Sequence, residues 1–357
     1  MLPSSVQHVL RDNYTIAKIR GEKGLLLDRQ QLYSLAEFRS QGEILGVLSD
    51  GTYGRELSEL KEGSSPIEVE RAIRLGFARA VKTLFASSQG SVRTFLQEIT
   101  HRFDAYDLAA LIVFKAQGKT WEEFIATRQP LAILKESELH RLYSLDDIRA
   151  IIGIMGDRTL EARVRDFAMA DISGERAAFV RDIITGWGEE RFYNYVNDNL
   201  RGPDRASCLP IVGATIDLMN LAIVLRSKLI GISKVEDHLI RGSWKLDPKT
   251  MGQVTAAQDV GQALELISSH SYYARILGSA RQKYEETKSL SFIEIALRKH
   301  SIIISRRIFA GFPYTLGIIL AFLILKENEA RNLSAVFSGV GAGIKPDQIR
   351  SLTAIPD

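Results

Sequence analysis

The stretch Asp217-Leu-Met-Asn-Leu-Ala-Ile-Val-Leu-Arg-Ser-Lys-Leu-Ile-Gly231 decides the fold, because its pattern occurs three times. Each copy has an acid, an Asp or Asn three residues later, a leucine directly after it, and a glycine eleven residues beyond the Asp or Asn. The copies, 113 and 112 residues apart, are Asp104-x-x-Asp107-Leu108 with Gly118, Asp217-x-x-Asn220-Leu221 with Gly231, and Glu329-x-x-Asn332-Leu333 with Gly343. Such a repeat indicates one supersecondary unit used three times, and repeated units gain stability by packing on one another. We therefore expect a scaffold.

A second set of matches keeps step with the first and is typical of helix starts. The matches are Ser34-x-x-Glu37, Ser144-x-x-Asp147, and Thr255 followed by Gln258 and Asp259. They precede apolar segments with helical spacing at residues 38–48, 148–155 and 260–267. We expect each hydroxyl to accept a hydrogen bond from a free backbone N–H at the start of the helix.

Helical spacing of apolar residues dominates the rest of the chain, and alternating β-branched runs are scarce. The sequence predicts an all-α protein, with long helices at residues 66–87, 91–103, 161–169 and 276–305. A chain of 357 residues exceeds what one core usually holds. The phase of the repeat therefore predicts three helical modules, at residues 1–125, 126–240 and 241–357.

Composition excludes several classes of protein. The 46 basic and 43 acidic residues leave a net charge of +3, without the clustered Lys and Arg that a nucleic-acid partner requires. The single cysteine, Cys208, excludes an internal disulfide and is interpreted as a buried apolar residue. The N-terminus lacks the features of a secretion signal, so we expect a cytoplasmic protein. The longest uncharged run, residues 308–325, is interrupted by Pro and Gly, and residues 315–325 are interpreted as a buried helix rather than a membrane span.

The middle copy places polar and apolar side chains on one helix stripe, at Asp217, Asn220, Leu221, Val224 and Lys228. If this stripe is buried, its polar groups need partners, since an unpaired buried polar group costs about 1–3 kcal/mol. We expect the acids and amides to fix how helices meet within each unit. The alternative is that Asp, Asn and Arg226 side chains bind a partner or a ligand.

The lysine of the stripe occurs in two of the three copies, whereas the acid occurs in all three. Lys115 and Lys228 lie in the last helical turn before Gly118 and Gly231, whereas the third copy has Val340 in this position. A cation there interacts favourably with the helix dipole, and glycine suits a left-handed cap. Local structure therefore accounts for the lysine and the glycine.

No reactive site is predicted: we assign no catalytic, cofactor-binding or metal-binding residue. Gly339, Gly341 and Gly343 follow a helix and lack the ending of a phosphate-binding loop. Metal chemistry needs His, Cys or carboxylates at ligand spacing, and no such motif occurs. No nucleophile elbow is present, and Cys208 has no evident His partner.

The chain resembles the C subunit of archaeal-type ATP synthases and the related d subunit of vacuolar-type ATPases. The segments that carry the resemblance are Tyr14–Leu27, Ile44–Gly54, Asp217–Gly231 and Phe312–Leu352. The middle segment is similar to the family pattern D-x-x-N-L-x-x-x-x-R-x-K-x-x-G. The last is similar to F-P-x-x-x-G-x-x-L-A-[FY]-x-x-x-x-E-x-E-x-R-N-L. Asp107, where the pattern has Asn, and the glycine-rich residues 339–343 depart from the family.

This resemblance implies an all-α, funnel-shaped subunit of three related bundles around a pseudo-threefold axis. It implies a non-catalytic rotor subunit on the cytoplasmic face of the membrane, between the central stalk and the proteolipid ring, with no small-molecule substrate. Arg226 and Arg331 are our candidates for exposed contacts with acidic partner surfaces, with a solvated or internally paired arginine as the alternative. Two other functions remain open: a helical adaptor in another assembly, and an all-α enzyme of unknown chemistry.

Overall fold

The computed structural model describes residues 4–58, 60, 64–128 and 130–356. All regular structure in these ranges is helical, at 77% of the chain and without strands, which confirms the all-α prediction. The first ten helices are α1 Ser4–Gly24, α2 Arg29–Leu35, α3 Gln41–Ser49, α4 Gly54–Leu57, α5 Pro66–Ser87, α6 Gly90–Ala116, α7 Trp121–Thr127, α8 Glu136–Tyr143, α9 Ile148–Ile152 and α10 Arg158–Val164.

Eight further α-helices lie in the second part of the described chain. They are α11 Gly174–Asn199, α12 Gly202–Ile230, α13 Pro248–Ala256, α14 Val260–Ser269, α15 Ser271–Thr287, α16 Ser291–Ala310, α17 Leu316–Gly341 and α18 Pro346–Leu352. Short 3-10 helices lie at Gly153–Met155, Met169–Asp171 and Val235–His238.

The chain divides into two compact units. Unit 1 comprises Met1–Gln97, Gly202–Cys208 and Arg298–Asp357, and unit 2 comprises Glu98–Arg201 and Leu209–Leu297. Each unit has an apolar core: residues of α2, α3, α5 and α17 form the core of unit 1, and residues of α6, α11, α12 and α14 contribute to that of unit 2. The three sequence modules, with boundaries after residues 125 and 240, stay a prediction.

The long helices follow the sequence with three differences, one of which is that the helix predicted for residues 161–169 is α10, at Arg158–Val164. α5 has the predicted bounds, because Ser65 and Glu68 form a capping box and Pro66 occupies the first turn. α6 continues to Ala116, well beyond the predicted end. The single helix predicted for residues 276–305 is wrong: α15 ends at Thr287, and Lys288 adopts a left-handed conformation with φ of 57°.

The apolar run at the start of α17 is buried as predicted, apart from the partly buried Ile324. Among the described residues, one helix is long and apolar enough to cross a membrane by length and composition. This helix is α12, and 67% of its most apolar window is buried inside the protein. Core helices of globular proteins have the same combination of length, apolarity and burial.

The predicted helix starts at residues 148 and 260 are correct in place, and all three are wrong in the capping residue. Asp147 and Asp259 are the caps of α9 and α14, and their carboxylates accept hydrogen bonds from the backbone N–H groups of Arg149 and Gln262. The hydroxyl of Ser144 instead donates to a carbonyl of the preceding helix. In the first copy α3 begins at Gln41 and not at residue 38, and Ser40 rather than Ser34 caps it. A carboxylate adjacent to the first turn is an equally good cap, so the hydroxyl three or four residues earlier is not needed.

Candidate functional site

The three repeated helices are α6, α12 and α17, and we call them the signature helices. In α12, the carboxylate of Asp217 is buried and accepts hydrogen bonds from three consecutive backbone N–H groups, those of Trp244, Lys245 and Leu246, at 2.8, 2.7 and 3.1 Å. The hydroxyl of Tyr273 donates a fourth bond, at 2.7 Å. Burial, and then the neighbouring carboxylate of Asp217, raise the pKa of this phenol.

The acids of the other two signature helices hold backbone in the same way. Asp104 of α6 accepts hydrogen bonds from the N–H groups of Ile133 and Leu134, at 2.6 and 2.9 Å. Glu329 of α17 accepts from the N–H of Leu27 at 2.5 Å and from the hydroxyl of Tyr53 at 2.7 Å. Tyr53 therefore makes the same type of contact with Glu329 that Tyr273 makes with Asp217.

Glu329 also has a lysine partner, whereas Asp104 has His101 at 3.7 Å and Asp217 has no basic partner among its described contacts. The ammonium of Lys326 lies 2.5 Å from the carboxylate of Glu329, and both side chains are buried. The same ammonium lies 4.4 Å from the centre of the Tyr53 ring. Burial, followed by the charge of Glu329 and its hydrogen bond, raises the pKa of Tyr53 well above the ordinary value. This pair offsets the cost of burying a charge in the core of unit 1.

The amides three residues after the acids bind one backbone residue each. Asn220 donates to the carbonyl oxygen of Ile240 at 3.0 Å and accepts from its N–H at 2.9 Å. Asn332 does the same to Ala354, at 3.4 and 2.9 Å. A carboxamide can satisfy both groups of one residue because it carries a donor and an acceptor side by side. Each amide thus pairs with the N–H and the carbonyl oxygen of Ile240 or Ala354, as a neighbouring strand would do in a sheet.

The first copy has Asp107 in place of this amide, and the structure shows what compensates for the change. A carboxylate can accept but not donate, so it cannot bind a carbonyl oxygen. Asp107 instead accepts a bond from Nε of Arg128, at 3.1 Å. The other end of that guanidinium donates to the carbonyl oxygen of Leu134. Arg128 therefore supplies the donor that the Asn-to-Asp change removes.

The lysines of the stripe reach a second helix. Nζ of Lys115 donates to the carbonyl oxygen of Tyr143 at 2.7 Å, and Lys228 donates to that of Thr255. These oxygens lie at the C-terminal ends of α8 and α13, where carbonyl groups lack helical partners. Val340 is buried in the unit 1 core in the position that the lysines occupy in the other copies. From the sequence we expected these lysines to interact only with the dipole of their own helix. Their hydrogen bonds to α8 and α13 were not predicted.

The three acids together order three pairs of short helices. Asp104 holds the segment that leads into α8 and α9, and Asp217 holds the one that leads into α13 and α14. For Glu329 the segment is the N-terminal one, with Leu27 before α2 and α3 and with Tyr53 after them. The last signature helix therefore binds an N-terminal segment of the chain, with Leu27 at a distance of 302 positions in the sequence.

Of the two candidate arginines, Arg226 is buried, and the expectation that it is exposed is wrong. It is 5% exposed and forms ion pairs with Asp182 and Glu294, with a third to Glu175 at 3.4 Å. Burial raises the pKa of Asp182, against the opposing effect of the arginines beside it. Arg331 is exposed and lies 2.6 Å from Glu327 on the same helix.

Sequence reasoning missed a row of buried acids on α11, each paired with an arginine of another helix. Glu189 binds Arg102 of α6 through two bonds at 2.8 and 2.5 Å, and Glu190 binds Arg163 of α10 at 2.6 Å. Asp182, which pairs with Arg226 of α12, belongs to the same row. Glu189 and Glu190 follow Asp182 by seven and eight residues, which places all three acids on one helix stripe. This spacing could have indicated the row from the sequence.

Apart from Asp107, which binds the Arg128 side chain, the acids and amides of the signature helices share one chemical property: they bind the protein's own backbone. The acid oxygens are occupied by N–H and hydroxyl donors, and the amides are paired in both directions. In the described part of the chain, no group of three or more His, Cys, Asp and Glu side chains is placed to hold a metal ion. The arrangement can order loops and helices.

The fold and these clusters define an all-helical protein in which the repeated acids and amides bind its own loops and helices. The model of the family described as ATP synthase (C/AC39) subunit matches residues 15–352, so the chain belongs to this family. It is therefore an accessory subunit of a rotary enzyme and is associated with the membrane-bound ATP synthase.

Its relatives include subunits of A-type ATP synthases. The C subunit of the A-type ATP synthase of Methanocaldococcus jannaschii is 26% identical over 95% of this chain and 85% of its own length. The protein of the same name from Pyrococcus furiosus is 24% identical, over 95% of this chain and 89% of its own length. That of Halorubrum lacusprofundi is 21% identical, over 95% and 96%.

Proposed function

We propose that this chain is a non-catalytic rotor subunit on the central axis of an A-type or V-type ATP synthase. In this role it links the central stalk to the membrane proteolipid ring and transmits torque for ATP-coupled proton or sodium transport. Family membership over residues 15–352 carries the proposal. The A-type is the first choice, because the relatives are named as C subunits of A-type ATP synthases.

The internal contacts support a mechanical role. A subunit that passes torque has to resist deformation, and hydrogen-bonded networks in a low-dielectric interior are stiff because their members strengthen one another. In unit 2, Arg226 joins α11, α12 and α16, and the Arg102–Glu189 pair joins α6 to α11. In unit 1, Glu329 joins α17 to the N-terminal segment.

The same contacts favour an accessory role over catalysis. A general acid or base needs an open position beside it for the reacting group. Asp217 is 1% exposed and receives four hydrogen bonds from the protein. Cys208 is buried, and burial raises the pKa of its thiol, which disfavours the reactive thiolate.

The proposed partners are the central-stalk subunits and the proteolipid ring, and the proposed location is peripheral, on the cytoplasmic face of the membrane. Exposed Arg331 stays our candidate for a contact with an acidic partner surface. No nucleic acid and no small-molecule substrate is proposed.

A single-molecule rotation experiment tests the proposal. In the intact complex, a Val47→Cys variant is biotinylated with a maleimide reagent and linked to a bead, and the complex is fixed to the surface through its catalytic subunits. Val47 is 52% exposed, and the buried Cys208 thiol does not compete for the reagent. We expect the bead to rotate when ATP is added. A bead on a catalytic subunit is the control and stays fixed. An immobile bead on this chain during ATP hydrolysis would show that it is not part of the rotor.

A further inference from the structure

The loop between α16 and α17 exposes two aromatic side chains. Phe312 is 65% exposed and Tyr314 58% exposed. Their rings meet edge to face, with centroids 5.8 Å apart and an interplanar angle of 75°. Pro313 between them limits the backbone, so less conformational entropy is lost when the rings become immobilised on another surface.

Four basic side chains lie on, or in contact with, the last turns of α16, which lead into this loop. Arg306 and Arg307 are exposed near the end of α16, and in the part of the chain that the structure describes neither has an ion pair or a side-chain hydrogen bond. Arg20 and Lys23 of α1 each lie 5.7 Å from the centre of the Phe309 ring, one residue before the end of α16. The surface formed by these groups, the aromatic-basic surface, consists of Arg20, Lys23, Arg306, Arg307, Phe312 and Tyr314.

Acidic groups are few here. The sequence contains no Asp or Glu from residue 295 to residue 326. On α1, Glu22 lies between the two basic residues and is partly buried. Asp204 accepts a hydrogen bond from the N–H of Leu316 and is thereby occupied as a cap of α17. The surface therefore carries a net positive charge.

We propose that the aromatic-basic surface binds the anionic headgroup layer of a membrane, with the rings of Phe312 and Tyr314 entering the interface. Charge complementarity favours this partner, because a membrane surface with anionic lipids presents one sign of charge, and this surface presents the opposite one. Exposed aromatic rings flanked by Lys and Arg are typical of segments that lie at the headgroup boundary.

This inference goes beyond the proposed rotor function, since it concerns lipid and not another subunit. The first test uses the purified full chain and sedimentation with vesicles, made of phosphatidylcholine alone or with phosphatidylglycerol added. Several unpaired cations near an anionic surface should make binding to the mixed vesicles about tenfold tighter or more. The preference should weaken as salt is added, because mobile ions screen the charges.

A charge-reversal variant tests the residues. Arg306→Glu with Arg307→Glu should reduce binding to the anionic vesicles about tenfold or more. The matched control is Arg149→Glu with Arg165→Glu, which reverses two exposed arginines of unit 2 whose side chains are 62% and 60% exposed. The control should bind like the unaltered chain. Circular dichroism verifies that both variants are folded.

Quenching by brominated lipid tests whether the loop enters the interface. Phe312→Trp should be quenched by vesicles of brominated anionic lipid. Val47→Trp is the control, since α3 packs near the other end of α17, where Gln41 binds the carbonyl oxygen of Phe337. At 1.5 Å per residue, Phe337 lies about 30 Å along the helix from its first turn. The control should be quenched much less.

Three results would overturn the lipid proposal. Equal binding to both kinds of vesicle, unchanged binding of the charge-reversed variant, or equal quenching at positions 312 and 47 would each suffice. A chain that ignores vesicles, but whose charge-reversed variant fails to join the intact complex, would assign the surface to a protein partner. None of these results depends on bead rotation, so the rotor proposal would be judged separately.

Discussion

Single side chains connect the signature helices to the segments packed against them. Asn220 shows most directly how much stability the loss of one such side chain would cost. Its carboxamide satisfies both backbone groups of Ile240, and all these atoms are buried. Water cannot replace the amide without entering the core. Both partner groups would lose their hydrogen bonds on truncation, and each unsatisfied buried group costs about 1–3 kcal/mol.

We predict that Asn220→Ala lowers the free energy of unfolding by about 2–4 kcal/mol. Urea denaturation followed by circular dichroism measures the change. Asn199→Ala is the matched control, because this exposed amide makes one bond to the carbonyl oxygen of Tyr195 within its own helix. The control should change stability by less than about 0.5 kcal/mol. Equal effects for the two variants would mean that the Ile240 contact is not stabilising.

The raised pKa of Tyr273 gives a prediction for alkaline pH. Burial and then Asp217 raise this pKa above the ordinary 10.0, so the folded protein keeps a proton that the unfolded chain loses. The folded state therefore binds more protons above about pH 10, and the free energy of unfolding falls as the pH rises. Below about pH 10 this contribution is fully present. Tyr273 alone should account for up to about 1.4 kcal/mol per pH unit.

Tyr273→Phe tests this dependence. The variant should lose about 1 kcal/mol at neutral pH, because one hydrogen bond to Asp217 is gone. Between about pH 9 and pH 11 its stability should fall less steeply than that of the unaltered chain, as measured by urea denaturation at each pH. Tyr14→Phe, at an exposed position, should keep the original slope. Parallel pH profiles for all three proteins would contradict the assignment.

The sequence predicts which polar residues lie on the signature helices, but it does not predict which groups they bind. A buried stripe with Asp217 and Asn220 requires hydrogen-bond partners, which is a local argument. The partner residues have no side-chain signal, because Ile240, Trp244 and Leu246 contribute only backbone groups. Asp107 was recognisable as a departure from the pattern, whereas its compensation by Arg128 depends on how the loop after α7 folds.

Among whole helices, α6 and α11 approach each other closely. A Cβ atom added to Gly188 would lie 2.8 Å from the Cβ of Ala105 and 3.5 Å from the carbonyl oxygen of Arg102. Glycine therefore allows the two helices to approach at the point where Arg102 binds Glu189. A side chain here would separate the helices or strain that ion pair.

We predict that Gly188→Ala lowers the free energy of unfolding by about 1–3 kcal/mol through overpacking. Gly278→Ala in α15 is the control with the opposite sign: a Cβ there meets no atom within 4 Å, and Ala favours the helix by about 0.5–1 kcal/mol. Thermal and urea denaturation of both variants measure the changes. Stabilisation by both substitutions would show that the α6–α11 contact can open without cost.

Helix bounds were predictable where the end signals are local, and not elsewhere. Ser65, Pro66 and Glu68 mark the start of α5 unambiguously. The break between α15 and α16 has no glycine: Lys288 takes the left-handed position at φ of 57°, which a lysine rarely does. Helical periodicity continues across it, because both helices bury apolar faces in the same core.

Along the whole chain, the connection from Glu329 back to Leu27 and Tyr53 joins the two ends of the sequence within unit 1. In the first two copies the acid of the signature helix binds backbone of the segment that follows this helix. The same arrangement would be expected for the third copy. In the third copy the acid instead binds the N-terminal segment, through Leu27 before α2 and α3 and Tyr53 after them. No pattern near residue 27 indicates this partner, which only the folded chain reveals.

At the scale of the whole complex, the proposed rotor role makes ion transport depend on this chain. If this chain transmits torque, membranes from cells that lack it should retain ATP hydrolysis by the catalytic part while losing ATP-driven ion uptake. The physical reason is that hydrolysis turns the stalk, but no force reaches the ring. Hydrolysis is measured by phosphate release and ion uptake by a fluorescent indicator in inverted vesicles. Adding back the unaltered chain should restore uptake, whereas a heat-unfolded sample should not. Ion uptake that persists without the chain would show that torque passes by another route.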